Sequence, residues 1–339
     1  MRLGRNTVVL ETRPAIVAGA ALAGKKEGEG PLGGLFDAVV PDDLFGEESW
    51  EKAEQHFFFT AAQTCLNKAG LATSEVDVLL GGDLLNQIMA ASIAARELGT
   101  PFLGLYGACS TMAESLCLGA MLVDGGHMRN ALCAASSHFC TAERQYRFPL
   151  EYGAQRTPTA QWTVTGAGAT LISSARGVKP IARCTLATIG TVTDLGIVDA
   201  NNMGAAMAPA AADTLRRHFQ DTGRTAKDYD LIITGDLGQV GHDLLLRLAE
   251  EQGTPLDVRR YMDCGLEVFG SEQDVHAGGS GCGCSAVVLN SLIWRRFLAG
   301  ELKRVLFMAT GALLSPTTSQ QGETIPGIAH GIVLEAGQP

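Results

Sequence analysis

A chain of 339 residues with a formal net charge of −10 and a pI near 5.2 has no general electrostatic attraction to nucleic acid or anionic lipid. Hydrophobic residues make up 46% and charged residues 18%, with no polar low-complexity run, which excludes disorder and asks for large buried layers. The length favours two domains or one duplicated domain. No apolar run reaches the roughly eighteen residues of a membrane span, and Met1-Arg2-Leu3-Gly4 does not open a secretory signal. Membrane association is therefore expected only through partners. Nine scattered cysteines suit a reducing compartment. Cys282-Gly-Cys284 has no second pair or histidine cluster at zinc spacing, so neither a metal site nor a cofactor is expected.

In chain order, residues 14–20 form a first buried strand and 24–47 a Gly-, Pro- and Asp-rich surface loop. Ser49 caps a helix running to about Lys68, with Phe58, Ala62, Cys65 and Leu66 at helical spacing and Gly70 as its stop. A strand from Val76 ends at the polar group Asp83-Leu-Leu-Asn86, and a helix follows over about 88–98. The central stretch is Pro101–Asp124: a short strand to Tyr106, a Gly107-Ala108 turn, then a helix from about Cys109. That helix is apolar nearly all round, the pattern of a buried one. The thiol of Cys109 is placed at its N-terminus, where unpaired N–H groups and the helix dipole favour a thiolate or a bound anion.

A strand from Arg129, a mixed polar and aromatic layer over 139–162, and a Gly-broken strand from Trp162 to Ser174 close the first half. The second half repeats this order. A strand over 181–193 leads to the polar loop Thr193-Asp194…Asp199-Ala-Asn-Asn, and a small-residue helix covers 205–221. Asp230-Leu-Ile-Ile-Thr-Gly-Asp236-Leu echoes Asp77-Val-Leu-Leu-Gly-Gly-Asp83-Leu. Gly281-Cys-Gly-Cys284 opens a second apolar helix, and a register that lays Arg304 on Arg129 also lays Cys284 on Cys109. Gly327-Ile-Ala-His330-Gly echoes the strand after Gly168. Three echoes in one order imply a duplicated βαβ-type unit, with halves at 1–176 and 177–339 and one buried helix in each. Two such helices with converging N-termini make a pocket whose floor is positive before side chains are counted.

The duplicated α/β halves, the Gly107-Ala-Cys109-Ser turn into a buried helix and the Gly-rich last strands resemble the thiolase superfamily. The resemblance implies a five-layer α-β-α-β-α fold, commonly dimeric, with Cys109 at the position of the acylated nucleophile. It also exposes departures. The family's catalytic histidine falls at Thr234-Gly235-Asp236, with His242 a turn or so further on. The family's Gly-Asn motif falls on Gly279-Ser280. Without that histidine and amide, general acid–base catalysis and oxyanion stabilisation are missing. An acyltransferase using Cys109 with His330 or His242 is the competing reading.

Four longer blocks are more specific: Gly81-Gly-Asp83-Leu-Leu-Asn86-Gln, Gly107-Ala-Cys109-Ser110-Thr111-Met, Asp199-Ala-Asn-Asn-Met through Ala212, and Asp274-Val-His276 through Ala286. They resemble the stage V sporulation protein AD family of spore-forming bacteria. That resemblance implies a non-catalytic protein that binds dipicolinic acid, free or as its calcium chelate, and supports its passage into and out of the spore. It would sit peripherally at the spore inner membrane with other stage V sporulation A proteins, as a homodimer, and any calcium would arrive with the ligand. The candidate ligand-binding residues are Cys109, Ser110, Thr111 and Asp83. Asn86, Asp194, Ser280 and His330 complete the set. Asp199, Asp236 and His276 are alternative pocket or capping residues, and Cys117, Cys282 and Cys284 are expected in the core.

Overall fold

The computed structural model describes residues 1–146, 156–175 and 179–337. The expected boundary between the halves and part of the 139–162 layer lie outside the described residues.

Ten strands carry the architecture. The first set is β1 (Ala15–Ala23), β2 (Val78–Gly82), β3 (Phe102–Gly104), β4 (Asn130–Ser137) and β5 (Gly166–Ser173). The second is β6 (Ala182–Thr188), β7 (Leu231–Thr234), β8 (Tyr261–Asp263), β9 (Arg304–Ala312) and β10 (Gly327–Ala336). Within each set the spatial order is third, second, fourth, fifth, first. In each, the second strand runs parallel to the third and fourth, and the fifth runs antiparallel to its two neighbours. Identical order and identical polarity are the duplication that the sequence echoes indicated. The sets meet where β1 pairs with β6 through only Ala15–Arg183 and Ile16–Ala182.

Three hydrophobic cores separate five layers. On the outside of the first sheet, α1 (Trp50–Ala69) and α2 (Met89–Leu98) pack Phe57, Phe58, Ala62 and Ala94 against Ala20, Leu79 and Leu132. Outside the second, α5 (Met203–Thr222) and α6 (Gly238–Glu251) pack Met207, Leu215 and Leu245 against Ile232, Met308 and Val333. Between the sheets lie α3 (Thr111–Asp124) and α7 (Cys282–Val288, continued as a π turn to Ile293). Met112, Leu116 and Cys117 of α3 share one core with Leu80 and Cys133 of the first sheet and with Phe307 and Ile332 of the second. A helix covered on both sides has to be apolar all round, which is why the stretch after Cys109 reads as it does.

Local signals worked where capping chemistry sets them. Ser49 Oγ accepts from the Lys52 N–H, and Gly70 ends α1 at φ 68°. Other expectations shift. The strand expected over 181–193 stops at Thr188, and the single strand expected from Trp162 is two pieces, since Trp162–Thr163 pairs with Gly279–Ser280 in a separate ribbon. α4 (Phe139–Tyr146), α6 and β8 have no clear counterpart in the periodicity. α4 mixes polar and aromatic residues, Gly238 and Gly241 interrupt the opening of α6, and β8 is three residues long.

Candidate functional site

The turn between β3 and α3 carries Cys109. Ala108 adopts φ 49°, a left-handed conformation that costs a residue with a Cβ and points to a constrained local purpose. Three bonds hold it. Ser110 Oγ donates to the Gly107 carbonyl at 2.6 Å, Thr111 Oγ1 to the Ala108 carbonyl at 2.7 Å, and Cys282 Sγ to that same carbonyl at 2.9 Å. Ser110 and Thr111 are wholly buried, so both hydroxyls serve the turn. β9 supplies the backing: a Cβ on Gly311 would stand 2.3 Å from the Gly107 carbonyl oxygen, and only glycine lets this strand approach so closely.

Asp236 stands behind Cys109. It leaves β7 at the end of the loop Gly235–Leu237, and it is fully buried. Its carboxylate accepts from the Gly281 N–H at 2.9 Å and from Thr310 Oγ1 at 2.9 Å, and its charge acts on the Cys109 thiol. Asp263 sets that loop by accepting from the N–H groups of Leu237 (2.8 Å) and Gly238 (2.9 Å) and from Thr234 Oγ1 at 2.7 Å. Burial raises the Asp236 carboxyl to about 6 and the Asp263 carboxyl to about 7. The Cys109 thiol is pushed well above its ordinary value, first by burial and then by the Asp236 charge.

The helix-terminus expectation is corrected by this arrangement. The N-termini of α3 and α7 do meet, but the chain fills its own anion position. The Gly281 N–H is taken by Asp236 and the Gly283 N–H by Ser137 Oγ at 2.9 Å. The floor is not positive, and burial and the Asp236 charge hold the group as a protonated thiol rather than as a thiolate.

Cys109, Thr163 and Ser280 form the floor of a narrow chamber of about 30 Å³, with Met203 and Leu314 on the second-half wall and Leu84, Tyr106 and Tyr146 as its roof. Among the described residues, no lysine, arginine or histidine lines it. Of the sequence candidates, the structure thus brings together Cys109 and Ser280, with Asp236 behind. Asp83 is buried elsewhere, accepting from the Leu85 N–H (2.8 Å) and the Ala91 N–H (2.7 Å) as a cap for α2, and burial lifts its carboxyl to about 6. Asn86 lies outside the roof, bonded to Gln145. Asp194 and Asp199 are exposed loop residues that accept from Gly196 N–H (2.8 Å) and Asn201 N–H (2.9 Å), and Asp194 also accepts from Thr324 Oγ1.

The histidines stand apart from the chamber. His330 lies on the central-layer side of β10, and its Nδ1 accepts from the Gly190 N–H at 3.3 Å. Burial lowers it to about 4, so it is neutral at neutral pH. His242 stacks on Tyr261 at 4.8 Å, and His276 donates to the Thr157 carbonyl at 2.7 Å. Among the described residues, no cluster of three His, Cys, Asp or Glu is placed to hold a metal ion. Sequence reasoning missed Tyr146, Met203, Leu314 and Asp263. Tyr146 sits in a stretch with no motif and Met203 in a block whose pattern does not single it out, and their placement depends on helices from both halves.

The comparisons agree with this geometry. A family model described as Stage V sporulation protein AD matches residues 4–335. Stage V sporulation protein AD of Bacillus subtilis (strain 168) is 50% identical over 332 residues, 98% of this chain and 97% of that one. Human mitochondrial 3-ketoacyl-CoA thiolase in complex with CoA superposes with a TM-score of 0.60 at 15% identity, covering 96% of this chain and 99% of that one. The 3-oxoacyl-[acyl-carrier-protein] synthase III of Aquifex aeolicus VF5 gives 0.57 at 13%, covering 95% and 99%. The solved structures establish the thiolase-like fold. By its near full-length family match and its half-identical relative, the chain belongs to the stage V sporulation protein AD family.

Proposed function

We propose that this sporulation protein uses the Cys109 chamber to bind dipicolinic acid rather than to condense acyl groups. The observation that carries the reading is the pairing of Cys109 with Asp236. Burial and the nearby Asp236 charge keep the thiol protonated, and Ser280 stands where the resemblance sets the catalytic amide. A protonated thiol is a poor nucleophile. The same carboxylate bears on the form of the ligand. With Asp236 filling the helix termini and no cationic side chain on the described lining, a bare dianion meets no compensating charge. The calcium chelate, in which the metal neutralises the carboxylates, fits this environment better, so calcium enters with the ligand and needs no protein site of its own.

Titration calorimetry on the purified protein is expected to give saturable heat with calcium dipicolinate and a weaker response with dipicolinate in chelator. Cys109→Trp, which fills the chamber, is expected to abolish it. Absence of heat with either form at millimolar ligand would sink the reading, and an acyl-CoA-dependent mass increase on Cys109 would favour the acyltransferase.

The reading extends to partners. No helix among the described residues is long and apolar enough to cross a membrane, so the protein would act at the spore inner membrane by docking on other stage V sporulation A proteins. It would do so as a homodimer. β3 ends its sheet with no strand beyond it among the described residues, and Leu103 on it is 51% exposed. Close to the exit of β3, Glu114 of α3 has a buried carboxylate oxygen with no partner and a carboxyl raised by burial. A second copy paired edge to edge would cover both. Light scattering is expected to give twice the chain mass for the wild type and the chain mass for Leu103→Glu. A wild-type monomer at the highest soluble concentration would refute the dimer.

A further inference from the structure

The Cys109 chamber is narrow. Its volume of about 30 Å³ is room for roughly one or two waters, far less than a pyridine ring with two carboxylates. Outside the roof lies an open cleft of about 470 Å³, with Asn86, Gln87 and Ile88 on one bank and Leu313, Leu314 and Ser315 on the other. Tyr106 and Leu314 line both spaces, and Tyr106 is 44% exposed. One aromatic side chain therefore forms much of the wall between them.

That wall is tied to the first half by a small set of bonds. Tyr146 Oη, in the last turn of α4, donates to the Leu84 carbonyl. With its only proton committed there, it accepts from Tyr106 Oη at 3.0 Å. Next to it, Gln145 clasps the same loop with both ends of its amide. Oε1 accepts from the Asn86 N–H at 3.1 Å, and Nε2 donates to the Leu84 carbonyl at 3.2 Å and to Asn86 Oδ1 at 3.3 Å. The clasped loop is strained. Gln87 at φ 60° and Ile88 at φ 47° are consecutive left-handed residues, and a β-branched side chain strongly disfavours that region. Such a conformation persists only while its surroundings hold it.

We infer that Tyr106 and Tyr146 form a gate between the outer cleft and the Cys109 chamber, with Gln145 as the latch that holds the loop Leu84–Ile88 closed. Release of the latch frees the Leu84 carbonyl and the Asn86 amide to solvent and lets Gln87 and Ile88 relax. Tyr106 loses its acceptor and turns into the cleft, which joins the two spaces. The strain sets the closed and open forms near balance, so a few hydrogen bonds decide access. The inference rests on the reading of the chamber as a ligand site, but its geometry does not, and its test separates the two.

The test is the rate at which Cys109 reacts with N-ethylmaleimide, mapped by peptide mass spectrometry, in the full-length wild type, Tyr146→Phe and Gln145→Ala. Neither substitution touches Asp236, Thr310 or Gly281, so the charge beside the thiol is unaltered and the labelling rate reads the exposure of Cys109. Each variant is expected to raise the Cys109 rate about tenfold, the shift that loss of one net hydrogen bond gives to a closed–open equilibrium. Amide exchange over 85–88 should rise with it. Cys65, on the buried face of α1 in a different core, is the internal control and should keep its rate. An unchanged Cys109 rate in both variants, or a rise matched at Cys65, overturns the gate. Stopped-flow association of calcium dipicolinate is then read separately. If labelling accelerates but no variant binds the chelate, the gate stands and the ligand assignment fails. If the chelate binds and labelling does not move, the gate fails alone.

Discussion

Asp236→Asn is expected to leave the fold standing and to raise the reactivity of Cys109 by tenfold or more at pH 8, whereas Asp236→Leu is expected to destabilise the protein by roughly 3 kcal/mol. The two outcomes separate charge from hydrogen bonding. The carboxylate receives two buried donors, the Gly281 N–H and the Thr310 hydroxyl, and its charge acts on the Cys109 thiol. Asparagine keeps an oxygen for Gly281 and can donate to a turned Thr310 hydroxyl, so the polar groups stay paired. Leucine leaves the donors without an acceptor, and each unsatisfied buried group costs about 1–3 kcal/mol, partly offset by removal of a buried charge. Both substitutions remove the negative charge that helps hold the thiol up.

The pH dependence follows from the sign of the Asp236 shift. Its folded-state value is raised from 3.8 to about 6, so the native state binds that proton more tightly than the unfolded chain does. The cost of ionising it, about 3 kcal/mol, is carried in full above pH 6 and is relieved as the pH falls from 6 towards 4. Denaturant midpoints measured across that interval should therefore rise relative to Asp236→Asn as the pH falls. Equal slopes for the two proteins, or an unaltered alkylation rate in Asp236→Asn, would contradict the assigned coupling.

Gly311→Ala is the second large effect. The added methyl would meet the Gly107 carbonyl oxygen at 2.3 Å, the Ser110 nitrogen at 3.1 Å and the Cys109 nitrogen at 3.3 Å. These are backbone atoms of a turn that Ser110, Thr111 and Cys282 already hold, so no side chain can yield. Forced overpacking of this kind costs typically 1–3 kcal/mol, and a rigid neighbour puts this site at about 3 kcal/mol or above. The turn is expected to move as β9 is displaced from it, so calcium dipicolinate binding should fall together with the denaturation midpoint. A variant as stable as the wild type would mean that β9 and the Cys109 turn are not held at this distance.

What could be read from the sequence was whatever depends on neighbours along the chain. The cap at Ser49, the stop at Gly70, the buried character of the helix after Cys109 and the repeated Gly-Asp-Leu strand ends are all local signals that point to a duplicated α/β chain, while the five-layer arrangement is what the resemblance to the thiolase superfamily implies. The site was only half legible for the same reason. Cys109 and Ser280 could be placed by their turns, but Asp83 and Asp236 follow echoing strands and look alike in sequence. One caps a helix in its own half, and the other reaches between the halves to a thiol. The difference arises from which helix terminus faces each carboxylate, a three-dimensional relation with no sequence period. Asp194 belongs to the polar loop after an expected strand and His330 to the place that the resemblance gives a catalytic loop, and in the fold their bonds are spent on Thr324 and Gly190.

The narrow seam between the sheets bears on how this chain can be taken apart. Two residue pairs join β1 to β6, yet α3 is clothed on one side by the first sheet and on the other by Phe307 and Ile332 of the second. Cut at the seam, the first half would present the full length of its most apolar helix to water, and the second would lose the surface that closes its inner sheet face. The repeats are therefore complements: each covers a face of the central layer that the other leaves open. A lesion in either half is felt by both, and Cys109 sits where that dependence is greatest.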